Sequence, residues 1–220
     1  MAQAQKKVMD TWKAKSWYAL VSPKFLGETQ FAEVPALDED HLINRIIAIP
    51  LKEITADISH MYLTIRLRVS EIKGKSAFTK FIGHSISREY LSTLVRRRRD
   101  SLQVIFPAKS KDGIEFNVKT LVVTATPCSD AQKKALRKTA LVDLKARISS
   151  SSFGDFILDV LNARASTQLY NRLKKIAPLK RVEIYKTELH EVFDTQEIIK
   201  KQEEPAPAEE MPQAEAATHA

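Results

Sequence analysis

The chain holds a single cysteine, Cys128, among 220 residues. An internal disulfide, a Cys-X-X-Cys redox pair and a cysteine zinc ribbon are therefore excluded. Histidine is also scarce, five in all: His41, His60, His84 and His190 are scattered, and none of these four has a partner at metal-ligand spacing. No apolar stretch reaches the roughly 18 residues that a membrane-spanning helix needs. Residues 1–17 are polar and lysine-bearing with no apolar central segment, so they do not read as a signal peptide. No Asn-X-Ser/Thr site occurs. Glycine is rare, and the one phosphate-loop fragment, Gly74-Lys75-Ser76, has Val69 where the loop requires its first glycine. Cys128 and His84 read as structural residues, and Asp38-Glu39-Asp40 as a solvated turn. These absences leave no catalytic constellation, and the chain is expected to be a cytoplasmic non-enzyme with no cofactor, no metal, no membrane contact and no small-molecule substrate.

Positive charge is abundant. The net charge is +8, with 44% hydrophobic residues, which is enough apolar material for a real core. Residues 201–220 hold Lys201 and five glutamates, a net of −4, so residues 1–200 carry about +12. A body that basic meets nucleic acid, an anionic surface or an acidic protein.

Periodicity supplies the elements. Trp17–Val21 reads as a first strand, with Trp17 filling the core, and Leu42–Leu51 as a second. From Met61 to Ile72, apolar Met61, Leu63, Ile65, Leu67 and Val69 alternate with Tyr62, Thr64, Arg66, Arg68 and Ser70. That period of two marks a strand with one apolar and one partly basic face. Lys73-Gly74-Lys75 turns it into a return strand, Ser76–Ile86. Ser87 can cap a helix whose face holds Tyr90, Leu91, Leu94 and Val95. Four arginines, Arg96–Arg99, are expected to close that helix, where its dipole favours cations.

Leu102–Ala108 and Ile114–Thr126 flank an Asp112-Gly113 hairpin signal. Ser129 with Gln132 makes a capping box for a helix to about Ser149, along which Leu136, Ala140, Leu144 and Ile148 recur every four residues. Helices over 153–163 and 167–177 and a last strand, 180–187, follow. Hairpins interrupted by helices predict an α+β fold, a mainly antiparallel sheet or partly closed β-barrel of about seven strands with flanking helices. Residues 1–16 read as a flexible basic arm, 17–200 as one domain, and the Glu/Pro/Ala-rich 201–220 as a disordered acidic tail.

Basic residues fall on many elements, which suits a protein touching folded RNA on several sides. Trp12, between Lys7 and Lys13, is a candidate for stacking on an unpaired base. Neither an RNP aromatic motif nor a Gly-X-X-Gly loop is present.

Several segments, in order, resemble one family: Lys15-Ser16-Trp17-Tyr18, Pro50-Leu51-Lys52-Glu53-Ile54-Thr55, Gly83-His84-Ser85-Ile86-Ser87-Arg88-Glu89-Tyr90-Leu91 with the arginine run, Asp112-Gly113-Ile114, and Gln132-Lys133-Lys134 to Arg137-Lys138-Thr139. The family is the small-subunit ribosomal protein shared by archaea and eukaryotes, of the S-three-A-e type. The similarity spans roughly residues 10–190. It implies a structural constituent of the cytoplasmic small (30S) subunit, bound to 16S rRNA on the platform near the rRNA 3′ end and the mRNA exit. Its implied partners are that rRNA, neighbouring small-subunit proteins and mRNA near the exit. The absence of the lysine-heavy eukaryotic arm points to an archaeal member. The resemblance carries RNA contact over to Lys13, Lys15, Arg88, Arg96, Arg97, Arg98, Lys133, Lys134, Arg137 and Lys138, and the local pattern adds Arg99 and Trp12. The rival reading is a ribosome-free RNA-binding regulator or RNA chaperone.

Overall fold

The β-rich pattern folds into eight strands, with five α-helices and two short 3-10 turns, in a computed structural model that describes Trp12 and residues 15–189. The strands are β1 (Ser16–Val21), β2 (Gln30–Ala36), β3 (Ile46–Pro50), β4 (Leu63–Lys73), β5 (Ser76–Ile86), β6 (Ser101–Lys109), β7 (Glu115–Thr124) and β8 (Leu179–Leu189). The helices are α1 (Lys52–Thr55), α2 (Arg88–Leu94), α3 (Asp130–Ser150), α4 (Phe153–Leu161) and α5 (Arg164–Leu173). Most of the arm (including Lys13), His190 and the acidic tail lie outside the described residues.

All eight strands join one open sheet, ordered β2-β1-β5-β8-β7-β6, with β3-β4 branching from β5. Every pairing is antiparallel except β1 with β5. β4 pairs along the whole of β5, so β1 and β8 share the other edge of β5: β1 at Ser76–Phe78, β8 at Gly83–Ser85. The α+β expectation holds; the strand count rises to eight with β2, a segment to which the sequence pattern assigns no element. Pro35 lies on an outer strand, as does Pro107 in β6, where a missing N–H costs no ladder bond.

The main core lies between the β6-β7-β8 half of the sheet and α3, α4 and α5. Leu136, Ala140, Leu144 and Ile148 are the buried residues of α3, as their spacing predicts, and Phe116 of β7 packs against two rings of α4, edge-on to Phe153 and tilted to Phe156. A smaller cluster, Leu20, Ile49, Val69 and Ala77, fills the other half.

Two expectations are overturned. Trp17 is 54% exposed, whereas Tyr18 and Leu20 are buried. Alternation along β1 allows only one of the two sets inward, and the register with β2 and β5 selects Tyr18 and Leu20. The arginine run does not close α2. That helix ends at Leu94, Val95 is extended, and Arg98 adopts a left-handed φ of 62°. The chain must reverse into β6 at Ser101, and α2 has no fully buried residue to hold a further turn. Stacking four guanidinium groups on one helical turn would add like-charge repulsion.

A candidate nucleic-acid interface

The β6–β7 hairpin brings two cation groups together. Its register runs from Lys109↔Glu115 at the turn to Ser101↔Val123 at the open end. The residue before β6 and the segment after β7 therefore meet. Asp100 joins them: its N–H donates to Thr124 Oγ1 at 2.9 Å, and its carboxylate accepts from the Cys128 N–H at 2.9 Å. Lys133 Nζ, in the first turn of α3, lies 3.3 Å from the same carboxylate. The Cys128 N–H first, then Lys133, hold the Asp100 carboxyl below its usual range. The predicted capping box is present: Gln132 N–H donates to Ser129 Oγ at 3.4 Å, and Ser129 N–H to Gln132 Oε1 at 3.0 Å.

Asp100, the residue after the arginine turn, thus ties that turn to the start of α3, and the two cation groups share one shelf. Arg96, Arg97 and Arg98 are exposed and Arg99 half-buried; Lys134, Arg137 and Lys138 are exposed at helical spacings of three and four. No carboxylate of the described residues pairs with any of these seven. Lys133 differs, being engaged by Asp100 and, at 3.7 Å, by Asp130. Unpaired cations held on a fixed frame suit phosphate oxygens.

The other expected positions lie elsewhere. Arg88 opens α2, which is tied to the start of β4 by the Ser87 N–H donating to Tyr62 O at 2.9 Å. Trp12 and Lys15 precede β1, separated from β6 by β5, β8 and β7. There the Lys15 ammonium sits 4.5 Å from the centre of the exposed Trp12 ring, a cation–π contact.

A further charged group was not legible in the sequence. On the sheet, Glu188 of β8 is ringed by Lys186, by Lys119 at 2.9 Å and by Arg66 at 3.4 Å. The Lys186 hydrogen bond, with Lys119 behind it, pulls its carboxyl down to about 2. Arg66 and Arg68 show as the basic face of β4, but Lys119 and Lys186 join them only through the β7–β8 register, Lys119↔Lys186.

His84 is structural, as expected. It is fully buried, with Nδ1 2.7 Å from Thr187 Oγ1 and Nε2 3.0 Å from the Ile184 carbonyl. Burial pushes its pKa down to about 4, so the ring is neutral at pH 7. Among the described residues no three His, Cys, Asp or Glu side chains gather as a metal site, and no helix is long and apolar enough to cross a membrane.

An open sheet backed by helices, with cations displayed on turns and helix flanks, defines the class: a basic α+β protein whose charge faces outward. The chain belongs to the ribosomal S3Ae family, whose model matches residues 3–192. It is 34% identical over 185 residues to the small ribosomal subunit protein eS1 of Saccharolobus islandicus, covering 84% of this chain and 89% of that protein. The same protein of Saccharolobus solfataricus is 35% identical over 185 residues, 84% of this chain and 89% of that one. That of Methanothermobacter thermautotrophicus is 32% identical over 192 residues, 87% and 98% of the two chains. The family is one of structural proteins rather than enzymes.

Proposed function

We propose that this protein is a structural constituent of the archaeal small ribosomal subunit, in the cytoplasm, and that its basic body binds rRNA through phosphate contacts. The observation that carries the reading is the Asp100 junction, which fixes the Arg96–Arg99 turn beside Lys134, Arg137 and Lys138 while those cations stay unpaired. Arg88, Lys15 and Trp12, with Lys13 outside the described residues, supply contacts on other sides. Lys133 serves by positioning the shelf. Residues 17–200 act as a single rRNA-binding domain between a basic arm and an acidic tail. The place on the subunit is the platform, near the rRNA 3′ end and the mRNA exit, with neighbouring small-subunit proteins as partners.

Sucrose-gradient sedimentation of a native lysate tests this. The protein is expected to co-migrate with the small subunit and to stay bound at moderate salt. Recovery mainly from the ribosome-free fraction would instead support a free RNA-binding regulator.

A further inference from the structure

β2, β3 and β6 each pair with a single neighbour, so each leaves a row of backbone groups on a free edge. Edge strands are normally blunted by shortness, charge or proline. β2 carries Glu33 and Pro35, and β3 is five residues long and ends on Pro50. β6 is nine residues long, and its Pro107 guards only the far end. Residues 101–106 hold neither a charge nor a proline.

The outward groups of β6 are fixed from both ends of its hairpin. The Thr124 N–H donates to Asp100 O and the Ser110 N–H to Ile114 O, both at 3.0 Å. Bonded and unbonded pairs alternate along an antiparallel ladder. With the unbroken β6–β7 register, Leu102, Val104, Phe106 and Ala108 therefore turn their N–H and C=O toward β7. Ser101, Gln103 and Ile105 turn theirs away from the sheet, and none of those groups is bonded among the described residues. Pro107 shares the outward parity, so its missing N–H leaves the ladder intact. Ile105 is 56% exposed, with no strand on that flank to cover it.

α3 runs beside this edge. Lys133 meets Asp100 at one end of β6. At the other, Lys145, Ala146 and Ser149 face Pro107, Ala108 and Lys109 across an open cavity of about 370 Å³. Lys109 is engaged by Glu115 at 3.4 Å, which leaves exposed Lys145 as the cation there that no described carboxylate pairs.

The outward N–H and C=O groups recur every second residue, about 6.7 Å apart. Phosphate oxygens accept but do not donate, so they answer the N–H groups and not the carbonyls. A second β-strand answers both. The geometry points to β6 as the docking edge for an extended segment of a neighbouring small-subunit protein, added as a further strand along residues 101–105. That segment sets an apolar side chain beside Ile105 and a carboxylate over Lys145. The inference rests on the ribosomal reading and gives the basic body a protein-binding edge next to its phosphate contacts.

Amide hydrogen exchange resolved to single residues, on the free protein and on purified small subunits, tests the pairing. In the free protein Leu102, Val104 and Phe106 should exchange slowly, and Ser101, Gln103 and Ile105 fast. In the subunit all six should be slow. If the alternation persists there, the edge is unpaired and the inference is overturned while the ribosomal reading stands. Absence of the protein from the subunit fraction would sink both.

A benzophenone amino acid in place of Gln103 identifies the occupant by photo-cross-linking within assembled subunits. Attachment to one peptide of another small-subunit protein, with an acidic residue near the attachment point, is expected. Attachment to RNA, to a second copy of this chain or to nothing overturns the assignment. Lys145→Glu should lower the yield of that cross-link several-fold by like-charge repulsion. Circular-dichroism melts of the variant should match wild type, and an unchanged yield would overturn the place given to the carboxylate.

Discussion

Gly83 has no room for a side chain: a Cβ there would lie 2.2 Å from the Thr187 carbonyl oxygen, backbone against backbone. β8 can therefore approach β5 only because that residue is glycine, and His84 then reaches across to bond Thr187 and Ile184. Gly83→Ala is expected to cost about 1–3 kcal/mol or more by overpacking, read as a lower denaturant midpoint. His84 also makes stability depend on pH. Its folded pKa is about 4 against 6.5 for an unperturbed ring, so the unfolded chain takes up the proton first as pH falls. The stabilisation is complete above pH 6.5 and declines toward pH 4, by about 3 kcal/mol in all. Urea titrations between pH 4 and 7 should show that loss, and His84→Asn, less stable at pH 7, should lack it. Glu188 acts in a lower window: its carboxyl, held near 2 against 4.5, contributes above pH 4.5 and loses its effect as pH falls toward 2.

Among elements, the arginine turn and α3 separate display from anchoring. Changing Arg96–Arg99 to Gln should leave the melting temperature nearly unchanged, since no described carboxylate pairs with them. Affinity for an rRNA fragment should fall, and the slope of log affinity against log salt should shrink by roughly 0.7–0.9 for each phosphate the variant no longer neutralises. Lys133→Gln should do the reverse, lowering the melting temperature by loosening Asp100 while moving the salt slope little. An unchanged slope with early melting in the arginine variant would show that the run belongs to the fold. The α3 core face was legible in the sequence because helical spacing is local: Leu136, Ala140, Leu144 and Ile148 name each other. The end of α2 was not, because chain reversal into β6, rather than propensity, stops the helix. The outward face of Trp17 is not legible in the sequence, because a six-residue strand has two faces and only its partners choose between them. The shelf was half visible: both cation runs could be read, but not that Asp100 ties them together, since that contact spans 28 residues to Cys128.

On the scale of the whole molecule, charge is divided between a basic body and a tail of opposite sign. Residues 202–220 contain Met211 as their one large aliphatic side chain, so they have little to bury, and their glutamates repel phosphate. Their deletion should leave both the melting temperature and subunit incorporation unchanged; a drop of several degrees would show an integral tail. The sheet is less forgiving of loss. Its last strand in sequence, β8, is internal in space, lying between β5 and β7. Before Leu179–Leu189 is synthesised, the β4–β5 and β6–β7 hairpins are separate pieces, each with an open edge where β8 belongs. Unpaired edges invite association with other chains. A chain stopped at Pro178 is therefore expected to be protease-sensitive and prone to aggregate, which limited proteolysis and light scattering would show.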